Sequence, residues 1–148
     1  MKFNIWKILL VGVIFAVLAE ILHTLSAFIE MPYYQIAEYF PVWSKVMMPA
    51  AGPPPVSFYV YALTFAFVTG LLFAFFYSIV KNSIPGKKLC CKGAMYGFLM
   101  FLVAAIPSYL SLYLLINLPK ALIGIWLGID LIIYLIAGMI CAWLIKDK

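Results

Sequence analysis

From Val56 to Val80 the chain reads VSFYVYALTFAFVTGLLFAFFYSIV, and no charged residue occurs anywhere between Lys45 and Lys81. A helix needs roughly 20 consecutive apolar residues to cross the hydrocarbon core of a bilayer, and this stretch is longer than that. It also carries Ala62, Ala66, Gly70, Ala74 and Ser78, a small residue at every fourth position. Positions four apart share a helix face, and small side chains let two backbones approach closely inside lipid. The stretch reads as a transmembrane helix pressed along one face against a neighbour.

Three further segments qualify, from about Ile5 to Ser26, Ala94 to Ile116 and Ala121 to Ile145. The expected fold is an all-α membrane protein, a four-transmembrane-helix bundle forming one domain over residues 1–148. Composition agrees. The chain is 68% hydrophobic and 10% charged with a mean hydropathy of +1.14, whereas a soluble domain is about 45–50% apolar and about 25% charged. So small a domain hides only part of its surface, so the apolar excess must face lipid. The first segment has a basic start at Lys2 and Lys7 but no small-x-small cleavage site before a polar sequence, so it is read as a retained helix.

Charge placement orients the bundle. All ten cations are lysines, which argues against nucleic-acid recognition, where arginine forks are the rule. Lys2, Lys7, Lys81, Lys87, Lys88, Lys92, Lys146 and Lys148 fall on one side, with only Lys45 and Lys120 on the other. Short cytoplasmic loops collect positive charge, so both termini are expected in the cytoplasm. Cys90, Cys91 and Cys141 then lie near the side where thiols stay reduced. Cys90-Cys91 has neither redox nor zinc-site spacing, and Met47-Met48 reads as a loop anchor.

The connections differ in length. Asn117-Leu118-Pro119-Lys120 is a tight hairpin that makes the last two helices antiparallel neighbours, and Asn82–Gly86 is an ordinary turn. Residues 27–55 form the long outer loop. Within it Pro32 is expected to open, and Pro41 to close, a short interfacial helix over Tyr33–Phe40. Tyr33, Tyr34, Tyr39, Phe40 and Trp43 suit the headgroup zone, and Pro53-Pro54-Pro55 makes a stiff lead into the second helix.

More packing signals follow. Gly12, Ala16, Ala19 and His23 share a stripe on the first helix, Gly93 and Gly97 recur on the third, and Gly124, Gly128, Ala137 and Gly138 lie on the fourth. Pro107 is expected to kink the third helix, since it removes a backbone hydrogen bond. These stripes serve either one bundle or contacts with copies and partner subunits.

Ionisable residues inside a membrane are costly and mark functional candidates. Glu20 and His23 share a face of the first helix, roughly 9 Å from its outer end, and Asp130 lies roughly 13 Å from the outer end of the fourth. They can therefore meet in the outer half of the bilayer, with Thr24, Tyr109, Tyr113, Asn117 and Tyr134 at the same level. A carboxylate beside a histidine can bind a divalent metal or relay a proton; it can equally serve as a hydrogen-bonded lock between helices. A di-iron bundle needs two Glu-x-x-His motifs plus two further glutamates, and one copy is a weak signal. No catalytic set, phosphate loop or resident cofactor is expected from the sequence, and a divalent metal at Glu20, His23 and Asp130 is left as an open alternative.

The second half resembles a type of small bacterial four-helix membrane protein of uncharacterised function. Gly93, Tyr96-Gly97, Ile106-Pro107, Tyr113, Leu118-Pro119, Trp126, Gly128, Ala137-Gly138 and the acidic Asp130 carry the resemblance. It implies a four-helix bundle in a bacterial inner membrane and no activity. The leading expectation is a non-enzymatic membrane subunit or small homo-oligomer, with the lipid bilayer and other membrane subunits or copies of itself as partners. The alternatives are a small transporter or a proton- or metal-linked carrier using Glu20, His23 and Asp130, or a membrane enzyme on the same residues. Whether those side chains line a cavity or a sealed helix contact separates the readings.

Overall fold

The structure, a computed structural model, describes residues 4–50 and 52–145. It is helical throughout, with no strand among the described residues: α1 (Ile5–Tyr34), a short 3-10 helix (Ala37–Val42), α2 (Val56–Val80), α3 (Leu89–Met100), a π-helical segment (Phe101–Ala105), α4 (Ile106–Leu115) and α5 (Lys120–Leu144). α3, the π segment and α4 run on as one span, Leu89–Leu115, so four helices are long and apolar enough to cross a membrane. Lys7, Lys81, Lys87, Lys88 and Lys92 lie toward one end of the bundle, called here the lysine end; Lys45 and Lys120 lie toward the other, the loop end. Lys2, Lys146 and Lys148 lie outside the described residues.

α1 starts where Asn4 caps it, its side chain accepting a hydrogen bond from the Lys7 amide at 3.2 Å, which satisfies one of the orphan donors of the first turn. It then runs well past Ser26, two turns into the segment read from sequence as loop. Pro32 does not open a new helix but lies inside the last turn of α1, where its missing N–H costs one intrahelical hydrogen bond close to the natural end. The buried residues Gly12, Phe15, Ala16 and Ala19 are followed, after the exposed His23, by Ser26 and Glu30 in this extension. The interfacial helix expected over Tyr33–Phe40 is replaced by the 3-10 helix Ala37–Val42 with Pro41 inside it, a tighter form that suits short pieces.

α3 begins five residues before the expected Ala94, because nothing in Leu89–Gly93 breaks a helix. The expected disturbance at Pro107 is present as the π segment immediately before it. Proline withholds one N–H and crowds the preceding turn, and a wide turn is one of the recognised ways a helix accommodates such a defect.

The bundle is built from two close pairs, α1 with α2 and α3 with α5, joined where α1 meets α5. Each pair crosses on glycine. A Cβ added at Gly70 would sit 2.6 Å from the Phe15 Cβ and 2.9 Å from the Gly12 Cα. On the other side, a Cβ at Gly138 would meet the Gly97 nitrogen at 2.9 Å and its Cα at 3.0 Å, besides the Gly93 carbonyl oxygen. Backbone therefore lies on backbone at both crossings, the contact small residues allow. Gly124 and Gly128 differ: no atom lies within 4 Å of a Cβ placed there. Within the chain they are not packing positions, because α5 turns that face outward.

The core fills the half of the bundle toward the lysine end. Phe73, Tyr77, Tyr96, Ile133 and Cys141 are almost fully buried. The Phe73 ring packs against Tyr96 at 4.6 Å, Phe15 at 5.6 Å and Tyr134 at 5.8 Å between centroids. The Tyr96 hydroxyl donates to the Phe73 carbonyl at 2.5 Å, giving a buried polar group the partner it needs. Toward the loop end the helices separate. α4 packs on the π segment and on α5, has no buried residue, and does not pack along α2.

Candidate functional site

The space left by that separation is a cavity of about 1120 Å³ at the loop end, bounded by α1, α2, α4 and α5 and roofed by the segment that joins α1 to α2. Its floor is the aromatic edge of the core, Phe15, Ile133 and Tyr134. Ala62 and Ala66 of α2 form one wall. The small-residue stripe is therefore divided in use: Gly70 and Ala74 are buried in the bundle, while Ala62 and Ala66 are half-buried and leave room. Phe40, Met47, Met48, Pro53 and Pro54 close the top. The lining is that of a small-molecule site, a largely apolar cavity with a few placed polar groups, and the volume lies just above the roughly 300–1,000 Å³ such sites usually have.

Those polar groups come from three helices. His23 of α1 places its Nε2 3.4 Å from Asp130 Oδ1 of α5. The Tyr109 hydroxyl of α4 donates to Asp130 Oδ2 at 2.7 Å. Asp130 thus has both oxygens engaged, and the trio ties α1, α4 and α5 together at the cavity wall. Glu20, Thr24 and Tyr134 line the same cavity. Asn117 and Tyr113, expected at this level, are elsewhere. α4 ends at Leu115, leaving Asn117 exposed in the hairpin beyond it, and the Tyr113 ring instead faces the Lys120 Nζ at 5.6 Å.

The most buried carboxyl of the site was not among the candidates. Glu30 is 3% exposed and lines the cavity from the extension of α1. The Tyr34 hydroxyl one turn on donates to its Oε2, and its Oε1 has no hydrogen-bond partner. Beside it, Tyr34 stacks edge-on against Trp43 at 5.2 Å, and Trp43 against Trp126 at 6.4 Å; the buried Trp43 Nε1 also lacks a partner. Two signals in the sequence mark Glu30: the Ala19, His23, Ser26, Glu30 spacing that carries the α1 stripe onward, and a tyrosine four residues later.

Chemically the site is acidic and aromatic. Glu20, Glu30 and Asp130 face it with His23, and no lysine or arginine lines it. Among the described residues no three His, Cys, Asp or Glu side chains are placed to share a metal ion, and Glu20 makes no bond to His23 or Asp130. The arrangement is a polar lock that also forms the wall of an apolar chamber. Comparison with known proteins returns no similarity: no family model, no curated protein and no solved structure matches the chain.

Proposed function

We propose that this chain is a multi-pass protein of the bacterial inner membrane, both termini cytoplasmic, that binds a lipophilic small molecule in the outer half of the bilayer and hands it across or along the membrane. One observation carries the reading: His23, Asp130 and Tyr109, the costly polar groups of the apolar helices, line a chamber of ligand size instead of a sealed helix contact. Groups of this kind inside a membrane mark solute pathways. α2 and α4 both line the chamber, and a solute dissolved in lipid would enter from the side between them. The lysine bias supports the orientation. Native mass spectrometry of the protein in nanodiscs tests the reading, with three lipophilic probes of like shape: tetraphenylphosphonium, tetraphenylsilane and tetraphenylborate. At least one should bind saturably at one per binding site, and Ala62→Trp, which fills the chamber, should abolish it. Binding of none, or binding indifferent to Ala62→Trp, would refute the reading.

A second reading, a homo-oligomer or subunit of a larger membrane complex, is favoured by Gly124 and Gly128. This pair of small residues faces outward on α5 with no neighbour within the chain, a disposition that suits another helix. A dimer whose stability falls on Gly128→Leu would support it; a monomer at all protein-to-detergent ratios would exclude it.

A further inference from the structure

Resting on the cavity reading above, we propose that the ligand is a lipophilic organic cation, seated with its charge at Glu30 and its apolar groups among the surrounding rings.

The charges of the chamber set the sign. Three carboxyl groups and one imidazole line it, and none of its lining residues is lysine or arginine. An anion entering would leave water and find no cation but His23, whose nearest partner is already Asp130 at 3.4 Å. An anionic ligand is thereby disfavoured.

Satisfaction of the individual groups then picks the residue. Asp130 has a partner on each oxygen. Glu30 does not: Tyr34 donates to one oxygen, and the other is buried without a partner. A buried polar atom left unpaired is costly, and an unpaired carboxylate more so. Glu30 lines the chamber, so a positive centre seated beside it there would offset that cost through its charge.

The walls also favour an organic cation. A bare metal ion is held by several ligand atoms, and no three His, Cys, Asp or Glu side chains converge among the described residues. The aromatic faces nearby, among them Tyr34, Tyr59 and Trp126, attract a cation through the ring quadrupole and most strongly where water is displaced. The same faces accept aryl or alkyl substituents. Charge at one point and apolar bulk around it is the shape of a lipophilic ammonium or phosphonium compound, and such a molecule partitions into the bilayer before it meets the gap between α2 and α4.

The three probes test the charge separately from the cavity. With the unaltered protein, tetraphenylphosphonium should bind at least about tenfold tighter than tetraphenylsilane, and tetraphenylborate should bind weakest. Glu30→Gln keeps the size of the side chain and an acceptor for Tyr34. It should weaken the phosphonium by about tenfold or more and change the neutral probe by no more than about twofold. Neutral and cationic probes binding equally, both lost in Ala62→Trp, would leave the cavity reading standing and overturn this inference. A preference for the cation that survives Glu30→Gln overturns it too. Failure of all three probes to bind would overturn both. The probe ranking needs no variant, so a folding defect in Glu30→Gln leaves the charge test intact.

Discussion

Gly97→Ala is the smallest change that tests how the bundle is held. A Cβ at Gly97 would lie 2.7 Å from the Tyr134 carbonyl carbon and 3.1 Å from the Leu135 Cα, with the Tyr134 oxygen nearer still. All three are backbone atoms of α5, so no side-chain rotation can make room and the helices must separate. Overpacking of a tight contact costs about 1–3 kcal/mol, and a rigid backbone obstacle puts this site at the top of that range. Alanine returns up to about 1 kcal/mol through its better helix propensity. The net loss is then about 2 kcal/mol. At Gly128 nothing lies within 4 Å, so Gly128→Ala keeps the propensity gain of up to about 1 kcal/mol without a steric cost. Unfolding by dodecyl sulfate, followed by tryptophan fluorescence, should separate the two variants by about 3 kcal/mol. Equal stability would show that α3 and α5 do not cross backbone on backbone.

Other changes address other parts of the molecule. Gly70→Leu should prevent folding or cost more than about 3 kcal/mol, because its Cβ meets Phe15 and Gly12, whereas Leu72→Phe, at a site 54% exposed, should be neutral in the same unfolding assay. Asp130→Asn retains an acceptor for Tyr109 and should be milder than Asp130→Leu, which strands that hydroxyl and His23, by about 1–3 kcal/mol. Tyr96→Phe should lose about 1 kcal/mol or more with the helical circular dichroism unchanged, since it removes the hydroxyl that bonds the Phe73 carbonyl. With Cys90 and Cys91 replaced by serine, impermeant thiol reagents applied outside intact cells should label cysteines at Lys45 and Lys120 and spare one at Lys88; the reverse pattern would invert the orientation.

The four helices were legible because nearly uncharged apolar runs long enough to cross a membrane stand out in the sequence. The bounds of α2 follow from Pro53-Pro54-Pro55 before it and from Lys81, which ends the uncharged run, after it. The long loop was not legible, since proline was read as a boundary when its cost depends on position: Pro32 falls where α1 is about to end, and Pro41 fits a 3-10 turn. Shortening α1 on that ground hid Glu30, the carboxyl with the least water around it. The His23–Asp130 pairing was foreseeable from depth alone. Asn117 was not excluded by depth, because position along an axis says nothing of which way a turn beyond the helix end faces. Small residues likewise mark close approach without naming the partner: Gly70 meets α1, Ala62 leaves a chamber, and Gly128 meets nothing in this chain.

Ligand protection of a single cysteine is the most direct test of the chamber. In the background with Cys90 and Cys91 as serine, and Cys141 left in the core at 0% exposure, Ala66→Cys places a thiol on the cavity wall and Lys120→Cys places one at the exposed start of α5, outside the cavity. A small thiol reagent should modify both in nanodiscs, and tetraphenylphosphonium should slow the reaction at position 66 alone, half-maximally at its dissociation constant. Modification of the thiol at 66 at an unchanged rate in saturating probe, or equal slowing at both positions, would mean that nothing binds between α1, α2, α4 and α5.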